Sequence, residues 1–162
     1  MKKRILLIAI VALLVLTATP LVAQNNGQTL NIGGLVPLQL TIAVTPDVDA
    51  QNLDLEGLAT LTPAIATFEV RTNNTAGWSL WVFSVNESLL VNSTGDDISY
   101  QIAVDDGVVV PAYATIPAVG VELWDEDDAA DFDATLRIEY TQTETFPAGY
   151  YSDQLALVLR AK

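Results

Sequence analysis

The chain has no cysteine, no histidine and a single methionine among its 162 residues. Without cysteine there is no disulfide, no thiolate nucleophile and no zinc–thiolate site. Without histidine the usual general base and the commonest transition-metal ligand are missing too. Positive charge is scarce: seven lysines and arginines stand against 20 aspartates and glutamates. Three of those seven, Lys2, Lys3 and Arg4, sit together near the start, leaving Arg71, Arg137, Arg160 and Lys162 against all 20 acids, a net charge of −16 after residue 23. Such a polyanion repels nucleic acid and anionic membrane surfaces, so neither is an expected partner. The same repulsion favours solubility and is relieved by salt or divalent cations.

Long apolar runs are limited to one, Ile5 to Leu16, which follows the basic start. Thr17, Ala18, Thr19 and Pro20 lead from it into Leu21-Val22-Ala23. A basic n-region, a short apolar h-region and a small residue before the cut mark a secretory signal peptide. Twelve apolar residues make about 18 Å of helix, short of the ~30 Å hydrocarbon core. Cleavage is therefore expected after Ala23, leaving a mature domain over residues 24–162 that is exported and not inserted in the membrane. Its location is expected to be extracytoplasmic: periplasmic, cell-surface or secreted. No cysteine follows the apolar run, which excludes a lipid-modified N-terminus.

What the mature chain does have is alternation of period two. Leu38, Leu40, Ile42 and Val44 share one face, and Ile98, Tyr100, Ile102 and Val104 share another. Phe68 with Val70, then Leu136, Ile138 and Tyr140, then Leu155, Leu157 and Leu159 repeat the pattern. Turn residues separate the runs, at Thr45-Pro46-Asp47, Asn73-Asn74, Gly95-Asp96-Asp97 and Asp105-Asp106-Gly107. No segment carries a sustained helical stripe, and Gln51–Leu61 has room for one turn only. Seven to nine short strands in a single domain predict an all-β, immunoglobulin-like sandwich. From Gly77 to Val85 the pattern doubles: Trp78, Leu80 and Val82 take one face while Trp81, Phe83 and Val85 take the other. That strand is either central and covered on both sides, or faces a partner, or shelters a satellite cluster under a loop.

Few residue sets suit chemistry. Asp125, Glu126, Asp127, Asp128, Asp131 and Asp133 crowd one stretch, flanked by Trp124 and Phe132, and hard oxygen ligands in a loop can hold calcium. The spacing lacks the central glycine and closing glutamate of an EF-hand, so a solvated acidic loop is the plainer reading. Chance carboxylate pairs are unavoidable among 20 acids, and nothing selects one for glycoside hydrolysis. The serines lack a histidine, and Gly33-Gly34 precedes no helix that would make a phosphate loop. Three sequons, at Asn73, Asn86 and Asn92, matter only in a source that glycosylates asparagine. No cofactor and no enzymatic activity are expected.

The order of segments resembles a known group. Leu30-Asn31-Ile32-Gly33-Gly34-Leu35-Val36-Pro37 with Leu38–Pro46, and Val70-Arg71-Thr72-Asn73-Asn74 followed by Gly77-Trp78-Ser79-Leu80, carry part of the likeness. Asp97–Ile102 and the closing stretch from Pro147-Ala148-Gly149-Tyr150-Tyr151-Ser152-Asp153 to Leu159 carry the rest. Together they resemble spore-coat-U-like and fimbrial-type secreted proteins. That resemblance implies an immunoglobulin-like structural subunit of the cell surface, with copies of itself or other surface subunits as partners. In such assemblies a chain lends an alternating strand to a neighbour's open sheet. The residues expected to carry it are Leu30 and Ile32 near the N-terminus and Leu155, Leu157 and Leu159 in the closing strand. Trp78-Ser79-Leu80 also resembles the first motif of the WxL cell-wall domain, which implies cell-wall attachment. A third expectation, a glycan-binding module, would use Trp78, Trp81 or Trp124 as stacking platforms. Calcium at Asp125, Asp127, Asp128, Asp131 and Asp133 would stabilise either binding mode.

Overall fold

The computed structural model describes Leu30 and residues 32–162; the leader expected over residues 1–23 lies outside them. Contacts divide the chain into residues up to Leu35 and a second unit, Val36–Lys162. In the first unit, Leu30 and residues 32–35 form no strand, and Leu30, Ile32 and Leu35 are exposed.

The second unit contains nine strands: β1 (Leu40–Pro46), β2 (Thr60–Leu61), β3 (Ala64–Thr72), β4 (Trp78–Ser84), β5 (Leu89–Val91), β6 (Asp97–Asp105), β7 (Val121–Glu126), β8 (Phe132–Thr141) and β9 (Leu155–Ala161). One antiparallel sheet has the order β1-β3-β8-β6-β5, with β2 added to β8, and the other has the order β7-β4-β9. The chain is thus an all-β, immunoglobulin-like sandwich. In that topology one sheet runs A-B-E-D and the other G-F-C. Strands β1, β3, β8 and β6 take the first four places, and β4 and β9 take those of C and F. β7 pairs with the far side of β4. Among the described residues no strand occupies the place of G, next to β9.

Alternation explains which side chains meet between the sheets. On β4 the buried set is Trp78, Leu80 and Val82, and on β6 it is Ile98, Tyr100 and Ile102, all almost without exposure. A bulge in β3 interrupts its register between Ala64 and Ala66, so that Ile65 and Ala66 both turn inward. Phe132 gathers the aromatic end of the core, with its ring centroid 4.4 Å from Trp124, 5.7 Å from Trp78 and 6.0 Å from Phe68. Gly77 leads into β4 with φ +89°, and a Cβ there would run into the main chain of Glu126, so only glycine fits.

Three differences from the sequence expectations have local causes. Among the described residues the helical turn falls at Val48–Gln51, where the Asp47 side chain accepts a hydrogen bond from the Asp49 N–H, rather than within Gln51–Leu61. Asp125 and Glu126 end strand β7, and Phe132 and Asp133 open β8, so the acidic stretch is a short corner between sheets and not a long loop. Strand β4, apolar on both faces, is the central strand of its sheet. Its outer residues Trp81 and Phe83 are half-buried under the Arg160 guanidinium, 4.0 Å and 6.0 Å from the two ring centroids.

The core is complete around β4 but not around β9, which is expected to show in stability. Leu80→Ala removes a fully buried side chain and should cost about 2–5 kcal/mol in urea denaturation. Leu157→Ala, at a half-buried position, should cost about half as much or less; equal losses would mean that β9 is already covered.

Candidate functional site

A strand exposes a row of N–H and C=O groups wherever it lacks a neighbour, and natural sheets guard such edges with charge, brevity or cover. Four edges can be compared here. β7 carries Glu122, Asp125 and Glu126. β5 is three residues long, and its last residue, Val91, exchanges two backbone hydrogen bonds with Ser152, at 3.0 and 3.1 Å. β1 and β9 are seven residues each, with no acidic residue, and each pairs on one side only among the described residues. Leu-Thr-Ile-Ala-Val-Thr-Pro and Leu-Ala-Leu-Val-Leu-Arg-Ala are the least guarded edges, with only Pro46 and Arg160, both near the strand ends, to discourage pairing.

These two edges approach each other. β1 and β9 come within 8 Å between Cα atoms without forming a ladder. Their inward side chains line a lane between the sheets: Leu40 and Ile42 from β1, and Leu155, Leu157 and Leu159 from β9. All five are packed against the core but only half-buried, and Val44, next on the same face of β1, is 42% exposed. Inward residues of the central strands, by contrast, reach 0% at Val70, Leu80, Val82 and Ile102. The lane is therefore where the core stops short. A strand between two others needs two spacings of roughly 4.8 Å, about 9.6 Å in all, which exceeds the closest approach of β1 and β9, so an entering strand would have to part them.

Polar contacts fix both walls. Asp153, just before β9, accepts hydrogen bonds from Ser84 Oγ at 2.5 Å, Tyr100 Oη at 2.6 Å and the Asn86 N–H at 3.1 Å. Burial, and then the Asp153 carboxylate, push the Tyr100 phenol far above its usual range, so it stays a donor. The other wall is tied at its start by Asn73. Its Oδ1 accepts from the Gln39 N–H at 2.7 Å, its Nδ2 donates to the Pro37 carbonyl at 2.8 Å, and its own N–H donates to the Gln39 carbonyl at 3.1 Å.

Of the residues expected to carry interaction, Leu155, Leu157 and Leu159 line the lane, and Leu30 and Ile32 are exposed and outside any strand. Leu40, Ile42, Val44, Asn73 and Asp153 belong to the site as well. Alternation had marked the first three as core; half-burial is what distinguishes them. Trp78 is fully buried and offers no ring face, and Trp124 packs against Phe132.

The acidic residues divide between two cations. Lys162 Nζ lies 2.7 Å from Asp125 and 2.6 Å from Asp127, and Arg71 reaches Asp133 at 2.6 Å and Asp131 at 3.8 Å. Hydrogen bonding to Asp125 and Asp127 raises the Lys162 pKa, and hydrogen bonding to Lys162 lowers that of Asp127. Among the described residues no group of three or more Asp, Glu, His or Cys is gathered to hold a metal. Asp128 lies in the corner between β7 and β8.

No family model matches the chain, and no curated protein matches it. Among solved structures it is similar to a family 123 glycoside hydrolase from Clostridium perfringens, with 13% identity and a TM-score of 0.38 over 77% of this chain. The chain spans 25% of that structure. A likeness of this size carries no argument about activity.

Because Lys162 and Arg71 already pair with four of the six carboxylates in this stretch, calcium and magnesium at equal concentration are expected to shift the melting temperature equally, by screening the charge that remains. A rise with calcium alone would show that the carboxylates rearrange into a site.

Proposed function

We propose that the chain is an exported, non-enzymatic surface or structural subunit that assembles with copies of itself by strand addition. The observation that carries this reading is the lane between β1 and β9, where each strand pairs on one side only among the described residues and the flanking apolar side chains stay half-exposed. The occupant is the N-terminal segment of a second copy. Leu30, Ile32, Val36 and Leu38 recur at even positions, with Gly34 between them, so they share one face of an extended chain. All four are exposed, at 82%, 89%, 80% and 60%. Two complementary apolar surfaces on one chain, an edge and a strand, support mutual pairing.

Other features support the same reading. A leader over residues 1–23 would deliver the chain outside the cytoplasm, to the periplasm, cell surface or medium. The likeness to spore-coat-U-like and fimbrial-type proteins runs through the segments that form the lane and the arm. The missing histidine and cysteine argue against an enzyme. Glycan or cell-wall binding through tryptophan has less support, since Trp78 is buried and Trp81 lies under Arg160.

Each apolar side chain moved fully out of water contributes about 1.5–3 kcal/mol. Replacing two of them with aspartate on a single arm, Ile32→Asp with Val36→Asp, is therefore expected to abolish assembly of the chain purified from its native host. Light scattering and negative-stain microscopy should then show monomer where the unaltered chain gives oligomers or filaments. Assemblies that persist in the double variant would remove the arm as donor.

A further inference from the structure

The lane and the arm belong to the same chain, so an arm has two possible destinations: its own lane or a neighbour's. We propose that Asn73 decides between them, holding Pro37–Gln39 in line with β1 so that the arm is given to a second copy. The inference rests on the strand-addition reading above.

Beyond the pair Leu40 and Thr72, the β1–β3 ladder continues through one residue. Asn73 takes both the N–H and the C=O of Gln39, and its Nδ2 reaches on to the Pro37 carbonyl. An asparagine amide provides one acceptor and two donors, which is what two backbone groups of opposite sense require. Pro37 adds stiffness by fixing its own φ and keeping Val36 extended. The three residues ahead of β1 are thereby fastened along its line.

Released from Asn73, those three residues have the length of a common hairpin loop. Folding over residues 37–39 sets Val36 opposite Leu40, Gly34 opposite Ile42, Ile32 opposite Val44 and Leu30 opposite Pro46. Residues directly opposed across an antiparallel pair share a face, so Val36, Gly34, Ile32 and Leu30 all land on the lane side of β1. The self-paired register thus buries nearly the same apolar set as pairing with a neighbour does. A tethered strand competes at an effective concentration of order millimolar, far above micromolar free subunit. Without a restraint at residues 37–39, self-closure would win, and a self-closed chain neither gives nor takes a strand. Asn73 supplies that restraint.

The test compares the exported chain carrying Asn73→Ala with the unaltered chain. The variant is expected to lose at least tenfold in assembled material by light scattering, and to accumulate a monomer that melts above the unaltered monomer. Because the chain has no cysteine, a Val36→Cys, Leu40→Cys pair reports the self-paired register directly. With residues 37–39 extended in line with β1 the two Cα atoms lie beyond disulfide range, and they come within it when the loop folds and sets them opposite each other. The pair should oxidise within one chain in the Asn73→Ala background and stay reduced when Asn73 is present. Asn73→Asp keeps the acceptor for Gln39 and loses the donor to Pro37, so it should fall between the two. Unchanged assembly, or equal oxidation in both backgrounds, would overturn the proposal. A synthetic peptide of residues 28–38, added to the Ile32→Asp, Val36→Asp variant, separates the two levels of the argument. If the peptide does not bind, strand addition itself fails; if it binds while Asn73→Ala assembles as before, only the role of Asn73 fails.

Discussion

An unpaired strand edge beside an unfinished core is the constraint on which the rest of this structure turns. Backbone N–H and C=O groups seek partners, and apolar side chains facing inward seek cover. In the central strands both needs are met, and side chains such as Val70, Leu80 and Ile102 lose all exposure. At β1 and β9 both are met on one side only, although both strands are long, free of acidic side chains and aimed at the core. The other edges show what protection looks like: three carboxylates on β7, and brevity with a backbone bridge at β5.

The polar contacts make sense around that constraint. A domain without disulfides must hold its edges by other means, and here single side chains do so. Asp153 ties the approach to β9 to β4 and β6 through Ser84 and Tyr100, and Asn73 ties the approach to β1. The few cations are spent in the same way. Lys162, just past β9, binds Asp125 in β7 and Asp127 just after it, and Arg71 near the end of β3 binds Asp133 at the start of β8. Arg160 covers the outer aromatic pair of β4. With so negative a chain, each cation relieves local repulsion where strands meet.

Much of the fold was legible in the sequence because a strand with one buried face writes period two directly. The runs at β1, β3, β6, β8 and β9 were all visible, each within a few residues of its bounds. β7 was hidden because its acidic residues resemble a solvated loop, while its ladder with β4 and the packing of Trp124 against the core show only in the fold. β2 and β5 are too short to carry a period. Of the site, the closing leucines and the apolar arm could be read, but not the lane. Alternation tells which way Leu40 or Leu157 points; it does not tell whether another strand lies alongside. Asn73 looked like turn chemistry, and its grip on residues 37 and 39 exists only once β1 and β3 are paired.

Native-state hydrogen exchange of the backbone amides in β1 and β9 tests the central claim most directly, since it reads the edges themselves. With the lane empty, the amides of β9 that point away from β4 should exchange orders of magnitude faster than those paired to it, and the same should hold across β1. In assemblies from the native host, those fast amides should become as slow as the rest of the core. Amides that are equally protected in monomer and assembly, or equally fast in both, would show that no strand enters between β1 and β9.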